Sequence, residues 1–186
     1  MKRLFDLALA LGGGIVLVVP FLVLVILVRA TSKGPALYWS DRVGRNNILF
    51  RMPKFRSMRL GTPAVATHLL ESPVSYLTPI GALLRKSSLD ELPQLWNILR
   101  GEMSFVGPRP ALFNQVDLIE MRTQCGVHHL TPGLTGWAQV NGRDELPISQ
   151  KVVLDYFYLN HQSLWLDIKI VALTFLKVIR RDGVVH

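Results

Sequence analysis

The chain has 186 residues, 49% of them hydrophobic, and a net charge of +8. That length holds one domain with its own core plus a short appendage and excludes two ordinary catalytic domains. The lone Cys125 excludes an internal disulfide and has no companion at metal-ligand spacing, so it is read as a buried structural thiol. Residues 1–60 carry ten Lys and Arg against Asp6 and Asp41, while residues 61–186 carry eleven charges of each sign; the excess is therefore a basic collar suited to an anionic cytoplasmic leaflet. No zinc-finger, RRM-like or helix-turn-helix pattern accompanies it, so nucleic acid is not an expected partner.

Leu7 to Val28 is a run of 22 residues without a charge, about 33 Å as a straight helix and long enough to cross a bilayer core of about 30 Å. A spanning anchor is the plain reading. A cleaved signal peptide fits poorly, because the run is too long and Asp6 and Arg29 flank it. Pro20 removes a backbone hydrogen bond in mid-run, and Gly12-Gly13-Gly14 weakens the helix further, so a bend is expected. Both flanks are basic, with Lys2 and Arg3 before and Arg29, Lys33, Arg42 and Arg45 after, which places both ends in the cytoplasm. A re-entrant hairpin over residues 1–33 is the reading these features favour.

Leu37-Tyr38-Trp39-Ser40 and Ile48-Leu49-Phe50-Arg51-Met52, joined by Gly44-Arg45-Asn46-Asn47, predict a small β-hairpin. Lys54, Arg56 and Arg59 then form either a solvated basic edge or a contact for phosphate or lipid headgroups. Leu60 to Ser75 lacks periodicity and contains Pro63 and Pro73, predicting a loop with a short helical piece. Thr78 to Lys86 predicts a short helix with proline near its first turn.

Ser88-Leu89-Asp90-Glu91 fits a capping box opening a helix that runs to about Arg100 and closes at Gly101. The cap explains Glu91, and Asp90 only as a charge on the helix dipole. The positive end of a helix also favours an ionised carboxylate and attracts phosphate, so Asp90 is expected to be both pKa-lowered and reactive. Pro93 deforms the helix where the carboxylates emerge. The stretch continues to Gly107-Pro108-Arg109-Pro110, where prolines rigidify an arginine whose fork suits phosphate oxygens. Two adjacent carboxylates beside such an arginine suit phosphoryl chemistry.

His128 and His129 are adjacent and expected to point apart, which argues against a joint metal site. The glycine-rich loop Thr131 to Arg143 can bring backbone donors close to a ligand but matches neither the P-loop nor the dinucleotide fingerprint. Leu164 to Ile179 has helical periodicity: Leu164, Trp165, Ile168, Val171, Ala172, Phe175, Leu176 and Ile179 share a face, with Asp167, Thr174, Lys177, Arg180 and Arg181 opposite. Its apolar face either packs on the core, the default, or lies in the membrane interface. The fold class expected is α+β, mainly helical: a re-entrant membrane helix, a small β-hairpin, and interfacial amphipathic helices around one catalytic domain over residues 34–186.

The chain resembles the bacterial sugar transferases, monotopic phosphoglycosyl transferases that begin lipid-linked glycan assembly. The resemblance is carried by Lys54-Phe55-Arg56-Ser57-Met58, by Leu89-Asp90-Glu91-Leu92-Pro93-Gln94-Leu95-Trp96-Asn97 running into Gly101-Glu102-Met103-Ser104-Phe105-Val106-Gly107-Pro108-Arg109-Pro110, and by Pro132-Gly133-Leu134-Thr135-Gly136-Trp137-Ala138-Gln139-Val140-Asn141-Gly142-Arg143. It implies transfer of a sugar 1-phosphate from a UDP-sugar to polyprenyl (undecaprenyl) phosphate at the cytoplasmic face of the bacterial inner membrane, the first membrane step of O-antigen, capsule, exopolysaccharide or glycoprotein assembly. It also implies that Asp90 is the nucleophile of a covalent phosphosugar intermediate and that Asp90 and Glu91 hold Mg2+. Substrate-binding roles fall on Lys54, Arg85, Arg109, Gln139, Arg143 and Asp155. The family's helix bends at a Ser-Pro pair; here Val19 precedes Pro20. The extra N-terminal spanning helices of larger members are not seen, so a minimal catalytic form is expected. The competing class is a non-catalytic, membrane-anchored module binding nucleotide or anionic lipid through the same cations. The acidic pair speaks against it, since a phosphate binder has no use for two carboxylates beside its arginines.

Overall fold

A computed structural model describes residues 1–63, 65, 72–142 and 146–180, with no side-chain description at 179 and 180. Lys2–Thr31 forms one helix, α1, with Pro20 inside it and on its outward side. Asp6, Ala10, Gly14, Leu17, Phe21, Leu24 and Val28 fall three or four apart on its inward side, which is one helical stripe. The opposite side is apolar as well, leaving Ile15, Val19, Leu22 and Ile26 exposed. α1 is the one helix among the described residues long and apolar enough to cross a membrane.

Both ends of α1 are fastened to the rest of the chain. At the start, Lys2 Nζ donates to Asp167 Oδ2 at 2.7 Å and to Tyr158 Oη at 3.2 Å. Arg3 donates to the carbonyls of Ile98 and Leu99, and Asp6 Oδ1 accepts from Ser104 Oγ and the Phe105 amide, both at 3.0 Å. At the far end, buried Arg56 donates to the carbonyls of Ser32 and Lys33, just past the last helical residue. Gly34, at φ +111°, is required there, because a Cβ would sit 2.4 Å from Arg56 Nη1.

The predicted hairpin forms as β1 (Leu37–Val43) and β2 (Leu49–Phe55), antiparallel with Tyr38 opposite Lys54. The turn between them carries Asn46 and Asn47 at positive φ, which asparagine tolerates. After a 3-10 turn at Pro73–Tyr76 come α2 (Gly81–Lys86), a 3-10 segment at Leu89–Gln94 and α3 (Leu95–Arg100), which ends on Gly101 at φ +84°. Then follow β3 (Ser104–Val106), β4 (Ala111–Leu112), α4 (Val116–Gln124), β5 (Gly133–Thr135), α5 (Trp137–Asn141), α6 (Ile148–Asn160) and α7 (Leu164–Arg180). β4 pairs with β1 to make the order β2-β1-β4, and β3 pairs in parallel with β5. The described residues are thus mainly helical, with two small sheets among them.

Two apolar clusters bind α1 to this frame. Ala10 packs with Phe50, Met52, Ile98 and Met103, and Leu24 and Val28 pack with Phe55 and Leu84. A third cluster joins Val106, Val140, Tyr158 and Ile170.

The sequence expectation for α7 is reversed in its default form. Trp165, Ile168, Phe175 and Leu176 of the apolar face are exposed, Trp165 at 77%, while Asp167 at 2% and Ile170 at 0% face inward. The inner side is mixed: Ile170 packs with Val106, Val140 and Tyr158, and Leu166, Val171 and Leu173 lie against them, while Asp167 meets Lys2 and Tyr158 and Thr174 Oγ1 lies 2.7 Å from Thr135 Oγ1. Periodicity fixes that a helix has two faces, and the apolar and polar partners together fix which one turns in. His128 and His129 also differ from expectation, since the 3-10 turn Val127–His129 sets their rings 3.9 Å apart, centre to centre. Among the described residues no third metal-ligating side chain joins them.

Candidate active site

The acidic pair lies where β2, α2 and the 3-10 segment meet. No capping box forms. Ser88 has left-handed backbone geometry, φ 57°, and its hydroxyl caps nothing. Glu91 is drawn elsewhere: its Oε1 accepts Lys54 Nζ at 2.7 Å and Arg109 Nη2 at 3.0 Å. Two charged partners outweigh one backbone amide, because charge-assisted hydrogen bonds are about twice as strong as neutral ones. Pro93 sits inside the segment, which is 3-10 up to Gln94 and α-helical only from Leu95.

The two carboxylates are tuned in opposite directions. Burial pushes Asp90 above its ordinary value of 3.8; Lys54 pulls back, Glu91 adds repulsion, and Arg85 and Arg109 pull back further. The expected lowering by a helix start is therefore overturned, since desolvation of an 8% exposed side chain outweighs one short 3-10 turn. Burial also opposes ionisation of Glu91, but Lys54 and Arg109, by charge and hydrogen bond, hold it well below the usual carboxylate range. One acid of the pair is thus firmly anionic while its neighbour is poised at higher pH, the separation expected of groups with different tasks.

Of the residues expected at the site, Asp90, Glu91, Lys54, Arg85 and Arg109 come together: Lys54 and Arg109 contact Glu91, and Arg85 acts on Asp90 through its charge. Arg143 lies outside the described residues. Asp155 lies apart from this group, paired with Arg122. It is 1% exposed, and its Oδ2 accepts Nε and Nη2 of Arg122 at 3.0 and 2.6 Å. Burial raises its pKa and the Arg122 charge and hydrogen bonds oppose that. Arg122 spends Nη1 on the Arg109 carbonyl at 2.8 Å, so Asp155 is joined to the main chain of Arg109 through Arg122. Arg42 holds the next carbonyl, Pro110, at 3.2 Å.

Gln139 is likewise not joined to the cluster, since both atoms of its buried amide lack a hydrogen-bond partner among the described residues. The glycines around it serve packing rather than a phosphate cradle. A Cβ at Gly136 would meet the Gly107 carbonyl at 2.1 Å, and one at Gly133 would meet the Gly107 amide at 2.1 Å. These glycines let the 133–136 backbone lie directly against the loop that carries Arg109.

Arg122 and Arg42 were missed by sequence reasoning. The signal for Arg122 is its place four residues after Leu118 on the buried side of α4, where a cation needs a partner. Of the basic triad, Lys54 reaches the site, Arg56 clasps the end of α1, and Arg59 is exposed.

The family described as Bacterial sugar transferase matches residues 1–181. An uncharacterized sugar transferase, EpsL, of Bacillus subtilis (strain 168) is 39% identical over 184 residues, covering 99% of this chain and 90% of its own length. A UDP-galactose-lipid carrier transferase of Erwinia amylovora is 39% identical over 199 residues, and an undecaprenyl-phosphate galactose phosphotransferase of Salmonella typhimurium 36% over 201. Each covers 98% of this chain, which spans only 41% of either relative. A match across nearly all of the sequence, including the acidic pair and the loop of Arg109, places the chain in the bacterial sugar transferase family.

Proposed function

We infer that the protein transfers a sugar 1-phosphate from a UDP-sugar to polyprenyl phosphate, releasing UMP and leaving a diphosphate-linked sugar on the lipid. The observation that carries this is the pair of buried Asp90 and partly buried Glu91 inside a set of three cations, Lys54, Arg85 and Arg109. The names of the Erwinia and Salmonella relatives point to the same reaction class.

Asp90 is the nucleophile. Its carboxylate oxygen attacks the sugar-linked phosphorus, the bond from that phosphorus to the bridging oxygen breaks, and UMP leaves with the electron pair. A phosphate oxygen of the acceptor lipid then attacks the same phosphorus, and the aspartyl oxygen departs as free carboxylate. Lys54 and Arg109, oriented by Glu91, hold phosphate oxygens where negative charge accumulates. Raised burial energy on ionised Asp90 favours the step that removes its charge.

The donor set fits magnesium. It offers two adjacent carboxylates with no third acid nearby among the described residues, and Mg2+ is commonly held by one or two carboxylates together with substrate phosphates. Asp90 and Glu91 would hold the ion, which when bound supplies neutralisation of the diphosphate.

The site works at the cytoplasmic face of the bacterial inner membrane, with residues 1–33 dipping into the leaflet and residues 34–186 forming the catalytic domain. What supports this is that both ends of α1 fasten to one domain and that the apolar sides of α1 and α7 face outward. Single cysteines replacing Lys2 and Lys33 are expected to react from the same side of the membrane.

Purified protein in lipid nanodiscs, supplied with undecaprenyl phosphate and a panel of UDP-sugars, is the direct test. One or a few donors are expected to release UMP and yield the lipid diphosphate-sugar, and excess chelator is expected to stop it. No UMP release from any donor, or release without lipid product in the full system, would overturn the reading.

A further inference from the structure

Where α2 gives way to the 3-10 segment of the acidic pair, two successive serines behave differently. Ser87 is helical, and its hydroxyl donates back to the carbonyls of Leu83 and Leu84 at 2.7 and 3.2 Å. Ser88 has φ 57° and ψ 16°, and no described residue hydrogen-bonds its hydroxyl. Helices commonly end on a residue of this geometry, and that residue is usually glycine, because a β-carbon crowds the backbone there. The end of α2 therefore explains the turn at Ser88 and leaves the serine unexplained.

Among the described residues, the others at positive φ are glycines, Asn46 and Asn47. Asparagine tolerates the geometry, and both asparagines use their side chains, Asn46 with His129 and Asn47 with Thr123. Ser88 combines a strained backbone with a hydroxyl that serves no described part of the fold. Strain of this kind persists at functional sites, where the side chain has a task outside the fold.

The place of Ser88 indicates the task. Asp90 lies two residues on, within about 7 Å along the chain. Arg85, whose carbonyl accepts the Ser88 amide at 3.2 Å, bears on Asp90 through its charge. Ser88 is partly exposed where Asp90 is buried. A phosphorus within attacking distance of Asp90 has its non-bridging oxygens within reach of a hydroxyl two residues away. A hydroxyl also offers what Lys54, Arg85 and Arg109 do not: it binds a phosphate oxygen without adding a positive charge that would hold back the Asp90 carboxylate.

We propose that Ser88 is a substrate-binding residue whose hydroxyl donates to a non-bridging oxygen of the sugar-linked β-phosphoryl group; the proposal rests on the reading of a UDP-sugar as donor and Asp90 as nucleophile. The proton stays on the serine, and no covalent step involves it.

UDP and UMP separate this contact from the chemistry. UDP carries the β-phosphoryl group, UMP lacks it, and neither has a sugar phosphate to transfer. The whole protein in nanodiscs with Mg2+ is titrated with each in a calorimeter. Ser88→Ala removes the hydroxyl and keeps the strain, Ser88→Gly removes both, and Ser87→Ala is the control. Both Ser88 variants are expected to weaken UDP binding about tenfold and UMP binding less than about twofold, the loss of one hydrogen bond to a charged group. Ser87→Ala is expected to change neither by more than about twofold. Ser88→Gly should also raise Tm by about 2 °C, so that a variant more stable than wild type binds UDP less well.

Unchanged UDP affinity in Ser88→Ala overturns the contact, even if Ser88→Gly binds weakly, because the backbone and not the hydroxyl is then what matters. Equal loss of UDP and UMP overturns it as well. A tenfold loss confined to UDP, in a protein that releases no UMP from any UDP-sugar, would keep the contact and sink the proposed reaction. Unchanged UDP affinity in an active protein would do the reverse, and no binding of UDP by wild type would overturn both.

Discussion

At the start of α1, Asp6 and Asp167 are 3% and 2% exposed, and each meets a set of donors that fits it. Asp6 receives the Ser104 hydroxyl and the Phe105 amide, and Asp167 receives Lys2 at 2.7 Å and the Tyr158 hydroxyl at 2.5 Å. Burial and the neighbouring Asp167 hold Tyr158 firmly in its neutral, donating form. At the other acidic cluster the carboxylates are neighbours in sequence, one is held anionic, and the other is pushed up. Buried acids that serve the fold are separated and individually matched; those at the candidate site repel each other and share their cations. The difference is conformational security in one place and stored electrostatic free energy in the other.

Neutralising one acid in each cluster gives the largest contrast. Asp90→Asn keeps the shape and removes the attacking charge, so transfer is expected to fall by about four orders of magnitude or to background. Incubated with UDP-sugar alone, wild type should gain the mass of a sugar phosphate and the variant should not. Stability should move the other way. A carboxyl with a raised native pKa favours folding below its unfolded value and loses that contribution as pH rises through the native one. Asp90→Asn is therefore expected to raise Tm at neutral pH, with the gain vanishing below about pH 3.8. Asp167→Asn should leave turnover per folded molecule unchanged and cost about 1–3 kcal/mol in denaturant unfolding, because Lys2 and Tyr158 lose a charged acceptor. A catalytic collapse in Asp167→Asn would erase the distinction.

Next in size is Arg109, which pairs with Glu91 and is proposed to hold substrate phosphate. Arg109 is fixed by Pro108 and Pro110 on its flanks and by Arg122 and Arg42 on the two carbonyls. If its fork geometry matters, Arg109→Lys should be nearly as harmful as Arg109→Ala, each lowering kcat/KM about a hundredfold. A lysine variant with close to normal turnover would show that charge alone suffices.

Asp155 extends the comparison to a third acid, matched like Asp167 yet coupled to the site. Asp155→Asn leaves Arg122 buried without its counter-charge, an expected loss of about 3 kcal/mol in unfolding free energy. It should also lower kcat about tenfold by releasing the Arg109 carbonyl. In an Arg109→Ala background the stability loss should persist and the rate loss should nearly vanish, because both changes act on one element. Full additivity of the rate effects would return Asp155 to direct contact with substrate.

These contrasts bear on what the sequence could tell. The hairpin, α2, the end of α3 at Gly101 and the extent of α7 follow from local pattern and appear as expected. Lys54, Arg85, Asp90, Glu91 and Arg109 are legible because they stand in long ordered motifs. Orientation is not legible: α7 shows the same periodicity whether its apolar face meets a core or a bilayer, and the placement of Lys2, Tyr158 and the apolar cluster around Ile170 decides. Ser88 and Glu91 match a capping box, but the ion pairs that dismantle it come from 37 and 18 residues away. The role of Asp155 depends on Arg122, which is 33 residues distant. Its position between Val152 and Tyr158 on the buried side of α6 marks it only as an acid in need of a partner.

The smallest expected effect tests the tuning itself. If ionised Asp90 is the attacking form, the single-turnover rate of UMP release falls on the acid side as Asp90 is protonated, and this limb should lie above the ordinary aspartate range. Lys54 lowers the Asp90 pKa, so Lys54→Met should move the limb to higher pH. Glu91 raises it by like charge, so Glu91→Gln should move the limb to lower pH, and freeing Lys54 and Arg109 from Glu91 acts in the same direction. Both variants lose rate, yet the displacement of the limb is independent of that loss, because it reports protonation and not the number of active molecules. Measured on the residual activity of each, opposite displacements identify Asp90 as the titrating group. Displacement of both in one direction assigns the limb to another acid, and with it the nucleophile.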